Sequence, residues 1–254
     1  MIGLREFQCY GRIDTPMAPR ITSLAAVPQA RSLAVLHFGN DALHRDFADL
    51  GPLAGCANLR RLQLATCAVS DLSPLARCAC LTELILIGLE RLEDLSPLAQ
   101  LISLRALKVR RYGGAGSGVE HISLRDISPL GRLVALEELE LLRLDLLADI
   151  QPLASCTALT SLKLTGCAAI EHVRPLAALP RLSQLSLAGC RRLTDVSPLA
   201  RCSSLETLNL SHCSGLRGDL SALVNECTSL QQLNLRSTSL LQMPNVREGV
   251  EVMY

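Results

Sequence analysis

Eleven cysteines and five histidines are the residues of this 254-residue chain with the most evident capacity for chemistry. Thiolate and imidazole together form zinc sites, and a thiol beside a base is a candidate nucleophile. The spacing points elsewhere. Cys67, Cys167, Cys190 and Cys213 each stand three residues after a Leu-x-x-Leu-x-Leu segment ends. Cys56, Cys78, Cys156, Cys202 and Cys227 each stand three residues before such a segment begins, and only Cys9 and Cys80 fall outside both columns. Thiols repeated with a structural period stack in a line at about 5 Å, which does not close the tetrahedron zinc requires. Such thiols are expected to be reduced and to pack as small apolar groups. His37, His44, His121, His172 and His212 fall at no spacing that builds a triad or a ligand set, and neither Gly-x-Ser-x-Gly nor His-Glu-x-x-His occurs. The run Gly113–Gly118 has the glycines of a phosphate loop without the Lys-Ser/Thr that must follow. The chain is therefore expected not to be an enzyme, with no cofactor and no metal.

The elements that position these residues are copies of one unit. Leu-x-x-Leu-x-Leu, or a near copy, begins at Leu59, Leu81, Leu104, Leu136, Leu159, Leu182, Leu205 and Leu230, with a weaker copy at Leu33. The steps are 22 or 23 residues, except 25 at the end and 32 from Leu104 to Leu136, where about nine extra residues are inserted. A fixed period of this length marks a solenoid. Within one unit, Leu185 and Leu187 alternate with polar residues, which predicts a short strand with its leucines inward. Asp195-Val196-Ser197-Pro198-Leu199 follows. There Ser is expected to cap and Pro to open a short helical or 3₁₀ turn. The same pentapeptide, with variants, starts at Asp49, Asp71, Asp94, Asp126, Asp149, His172 and Asp219, and the last of these lacks the proline. Strands one period apart all run the same way, so they must form a parallel sheet.

Both patterns resemble leucine-rich repeats, and the Asp-Leu-Ser-Pro-Leu segment resembles the short-repeat class of the internalins and of the leucine-rich regulator of protein phosphatase 1. The resemblance covers roughly residues 33 to 240. Cysteine at 67, 167, 190 and 213, where the family commonly carries Asn, departs from the internalin pattern. The implied fold is an α/β leucine-rich repeat solenoid, with a curved parallel sheet on the concave side and short helical or 3₁₀ turns on the convex side. The resemblance also implies protein–protein binding through the concave face, without catalysis or cofactor. The expected organisation is one continuous domain: a degenerate N-terminal capping repeat over 1–32, the array over 33–239 with an insertion at 112–125, and a C-terminal cap or tail over 240–254.

Composition narrows the class of partner. Formal net charge is +1, so no global field draws the chain to nucleic acid or an anionic membrane. No apolar stretch approaches the length of a membrane span. Met1–Arg20 lacks the basic and apolar regions of a secretory signal, and many thiols without an export signal fit a reducing, cytoplasmic compartment. Alternate strand residues face outward. Among them Ile85, Ile87 and Leu142 are large and apolar. They flank a basic stretch, Arg105, Lys108, Arg110 and Arg111, next to Tyr112 and the insertion, with Glu138 and Glu140 on the following strand. Apolar groups rimmed by charge mark interfaces, so these ten residues are the candidate partner-binding site. Outward positions from Gln184 to Asn234 are mainly Ser, Thr, Gln, Asn and Ala. The expected function is a non-catalytic scaffold or adaptor, a component of a larger assembly whose partner is a protein. The alternatives are a regulatory subunit that recruits a phosphatase or ubiquitin ligase, or a protein of a ribonucleoprotein, the one setting in which nucleic acid would be met.

Overall fold

The computed structural model describes residues 6–9, 33–39, 46–111, 123–217, 219–240, 246 and 248–254. Contacts between Cα atoms group the chain into two compact units, Met1–Leu124 and Arg125–Tyr254. In the first unit five strands pair in parallel in chain order: β1 (Glu6–Cys9), β2 (Val35–Gly39), β3 (Arg61–Ala65), β4 (Glu83–Ile87) and β5 (Ala106–Arg110). In the second, six do the same: β6 (Glu138–Leu142), β7 (Ser161–Lys163), β8 (Gln184–Ser186), β9 (Thr207–Asn209), β10 (Gln232–Asn234) and β11 (Glu251–Met253). β1 and β11 come from the expected capping segments and add a strand beyond the recognisable motif at each end.

The register explains the repeat. Leu62 pairs with Leu84 and Leu64 with Leu86, so each leucine lies on its counterpart in the next copy. Leu162, Leu185, Leu208 and Leu233 form the same row in the second unit, each at most 2 % exposed. Burying a leucine is worth roughly 1.5–3 kcal/mol. Most of that burial is supplied by neighbouring copies, so one copy alone has no core.

Opposite the strands, 3₁₀ turns span Gly51–Gly55, Ser73–Arg77, Ser96–Gln100, Ser128–Arg132, Gln151–Ser155, Arg174–Ala178 and Ser197–Arg201. Each turn buries its central leucine, as at Leu75 and Leu199. In the copy without proline, two further residues let the N–H of Val224 reach back four residues to Leu220, and the turn becomes a helix, α1 (Ser221–Glu226). The expected role of serine needs correction, because no serine side chain caps these turns. The aspartate two residues earlier accepts the serine N–H instead, at 2.8 Å from Asp71 to Ser73 and 2.7 Å from Asp94 to Ser96. Gly51, Ser128, Gln151, Ser197 and Ser221 are held the same way by Asp49, Asp126, Asp149, Asp195 and Asp219. This is an Asx turn: it satisfies an N–H that the 3₁₀ turn leaves open. The serine hydroxyl of Ser197 turns back to donate to the Asp195 carboxylate.

A second column escapes sequence reading. Two residues after the last leucine of the motif, the chain bends through the left-handed region at Thr66, Gly88, Arg143, Gly166, Gly189, His212 and Ser237, with φ between 50° and 77°. The bend aims each N–H at the next copy, as in Gly166 to Ala188 (2.7 Å) and His212 to Arg236 (2.8 Å). Glycine adopts this conformation at no steric cost, whereas the four other residue types do not.

Candidate protein-binding surface

The outward face of the first unit is built by β3, β4 and β5. Ile85 lies in register between Gln63 and Lys108, and Ile87 between Ala65 and Arg110. Both isoleucines are half-buried, as are Lys108, Arg110 and Arg111, while Arg105 is exposed. Strand pleating sets this geometry: Leu84 and Leu86 face the core, so their neighbours must face out. At the edge of the patch Arg61 and Glu83 form the expected cross-strand ion pair. With Arg61 53 % exposed it is screened, and it fixes orientation more than it stabilises.

In the second unit β6 carries the remaining candidates. Glu138 is exposed and Leu142 half-buried. Glu140 is only 7 % exposed and pairs in register with Lys163, which makes it a built-in part of the sheet. Ile85, Ile87 and Leu142 occupy the expected outward positions, but each is more covered than open. The large apolar residues most open to water are Ile102, Val134, Leu146 and Tyr254, all off the strands of the motif. The pattern that places inward leucines says nothing about them. Tyr112, Gly113–Gly118, Val119 and Ile122 lie outside the described residues. Strands β7 to β10 show the plain polar surface expected of them. Thr165 and Ser186 share a hydrogen bond at 3.0 Å, and Asn209 accepts the Ser211 N–H at 2.9 Å.

The thiols sit behind this face. Cys67 is 5 % exposed and the other column cysteines at most 1 %, whereas Cys80 is exposed. Seven of these thiols, those of Cys78, Cys156, Cys167, Cys190, Cys202, Cys213 and Cys227, also bridge copies. The S–H of Cys167 donates to the Leu141 carbonyl (3.3 Å), that of Cys190 to Leu164 (3.3 Å) and that of Cys213 to Leu187 (3.1 Å). In the other column Cys156 donates to Leu130, Cys202 to Leu176 and Cys227 to Leu199. Burial in this dry layer pushes the thiol of Cys213 up to about 11 and that of Cys167 up to about 12, and that of Cys190 higher still, helped by the thiols of Cys167 and Cys213. A thiol held protonated is neither a nucleophile nor a metal ligand. Among the described residues no group of three or more His, Cys, Asp or Glu could hold a metal ion, and no helix is long and apolar enough to cross a membrane.

Parallel strands alternating with 3₁₀ turns at a 22–25-residue period define a leucine-rich repeat fold of the short-repeat class. Known structures share it. The chain is similar to an internalin, InlF, of Listeria monocytogenes, at 21% identity and TM-score 0.50 over 92% of this chain and 84% of that one. It is also similar to internalin C2 of the same bacterium, at 24% identity and TM-score 0.55 over 72% and 82%. A leucine-rich repeat protein of Leptospira interrogans matches at 18% identity and TM-score 0.55, over 84% of this chain and 63% of that one. At these identities the likeness is one of fold. No protein-family model and no curated protein matches the sequence.

Proposed function

We propose that the chain is a non-catalytic protein–protein interaction scaffold or adaptor, a component of a larger assembly in the reducing cytoplasm. Its partner binds the strand face of repeats three to five. Ile85, Ile87, Arg105, Lys108, Arg110 and Arg111 make the part in the first unit. On β6 of the second unit Glu138 and Leu142, with Glu140 behind them, are further candidates for partner contact, as is Tyr112 with the 112–125 insertion. The observation that carries this reading is the isoleucine pair on β4, set beside cations on β5 at positions where β8 to β10 show Gln, Ser, Thr and Asn. The repeat fold, shared with the internalins, supports a binding role in general, and the free, protonated thiols fit a reducing compartment.

The test is capture of partners from the native cell by the immobilised full chain, with mass spectrometry of what is retained. Ile85→Ser with Ile87→Ser is compared with wild type, after a melting curve has shown that the variant folds. Specific partners should be lost from the variant. A partner set unchanged by it would remove this face from the function.

A further inference from the structure

The first unit sorts its charges by side. On or beside its strands stand Arg60, Arg61, Arg105, Lys108, Arg110 and Arg111, against two carboxylates, Glu6 on β1 and Glu83, which Arg61 already engages. The unit's other described carboxylates lie off the strands. Asp49, Asp71 and Asp94 start the 3₁₀ turns, Glu90 and Glu93 lie in the loop after β4, and Asp46 precedes Phe47. Arg105, Lys108, Arg110 and Arg111 also interact with other groups of the chain, so what the face presents to a partner is its net positive sign and not vacant cations.

Two further features say which kind of anion this face suits. Single-stranded nucleic acid is held by stacking its bases on aromatic rings. The described part of this face has no Phe, Tyr or Trp ring, since Phe38 and Phe47 are fully buried against each other with centroids 4.2 Å apart. Its one imidazole, His37 on β2, is half-buried two strands from β4, the neighbour of the strand that carries Lys108 and Arg110. What it offers instead is aliphatic: Ile85 and Ile87, adjacent on one strand side and directly across from Lys108 and Arg110. Cations gather carboxylates from solution, and an aliphatic patch discriminates among them by the side chain that comes with them.

We propose that the segment bound by the first unit is an extended acidic peptide with at least one large apolar side chain. That side chain sits on Ile85 and Ile87, and the peptide's carboxylates face Lys108 and Arg110. This deepens the scaffold reading above and rests on it.

The experiment pans a phage-displayed library of random dodecapeptides against the full chain. Enriched sequences are then synthesised with a fluorophore for anisotropy titrations, and a labelled single-stranded oligouridine is titrated in parallel. Enriched peptides should be net acidic and carry a large apolar residue, and they should bind more tightly than the oligouridine. Affinity should fall about tenfold or more, a change read directly from Kd, both in Lys108→Gln with Arg110→Gln and in Ile85→Ser with Ile87→Ser. If the first pair does not fold, Arg60→Gln with Arg105→Gln, both exposed, takes its place. Neutral or basic peptides that need the isoleucines would overturn the acidic assignment and leave the scaffold reading standing. Tighter binding of the oligouridine, lost in the cation variants, would replace the peptide by nucleic acid. If no enriched peptide responds to any of these substitutions, both readings fall.

Discussion

Cys190 fills a small space in the core and also lends its proton to the Leu164 carbonyl of the preceding copy. The placement of the thiols was legible in the sequence, because their spacing matches the leucines. The donor role was not, because it depends on how close the turn brings the thiol to a carbonyl of the preceding copy. The raised acidity constants carry a prediction. A thiol whose folded value lies above its ordinary 9.0 contributes stability that is complete below pH 9. That contribution is lost as pH rises through the folded values of about 11 to 12. The melting temperature should therefore fall steeply above pH 9, and less steeply in Cys167→Ala with Cys190→Ala. In the native protein at neutral pH a thiol reagent should label Cys80 rapidly and leave the nine buried cysteines unreacted until unfolding. Rapid labelling of Cys190 would contradict the packing. Two backbone positions in one turn, one left-handed and one crowded, give a sharper pair. His212, at φ 59°, should be stabilised by roughly 0.5–1 kcal/mol on change to Gly. Gly215→Ala should cost about 1–3 kcal/mol, since its Cβ would stand 2.4 Å from the Arg191 carbonyl oxygen. Urea denaturation measures both. Thr66, Arg143, His212 and Ser237 hid the left-handed column from sequence reading, because only glycine announces such a bend.

The turns show how far a motif can be read and where it stops. Among the described residues, Asp-Leu-Ser-Pro-Leu and its variants located the 3₁₀ turns, and the copy without proline is the one that became helical. The assignment of the cap to serine failed because the aspartate, two residues earlier, reaches the same N–H first. In the sixth turn that aspartate is His172, and among the described residues Arg174 keeps its N–H without such a bond. The hydrogen bonds from Ser73, Ser128 and Ser221 hold the carboxyls of Asp71, Asp126 and Asp219 below their ordinary 3.8. A depressed carboxylate stabilises the fold above its unfolded value, and that stability is lost as pH falls through the folded one. Stability should thus be flat near neutrality and fall below about pH 4. Replacing Asp71, Asp126 and Asp219 by Asn should flatten that acid limb in a pH series of melting curves. An acid limb unchanged in the triple variant would show that these turns do not depend on ionised caps.

For the molecule as a whole, fold class and inward rows were legible because one period governs them, and Leu62, Leu84 and Leu107 need only each other to be understood. The outward strand positions were legible in the sequence, but their exposure was not. Glu140 reads as a solvent-facing charge, yet its neighbours bury it, and Ile85 and Ile87 are more covered than open. Ile102 and Val134, more open to water than either, belong to no periodic row. A partner's identity leaves no periodic trace at all. The central claim is that binding is concentrated on the strand face of repeats three to five. It is tested most directly by calorimetric titration of a partner captured by the full chain against two matched variants of equal melting temperature. Arg110→Ala with Tyr112→Ala removes the two residue types most enriched at energetic hot spots, and Kd should rise about thirtyfold or more. Gln184→Ala with Asn209→Ala, on the plain polar strands, should leave Kd within about twofold. Loss of binding in the second variant with none in the first would contradict the account.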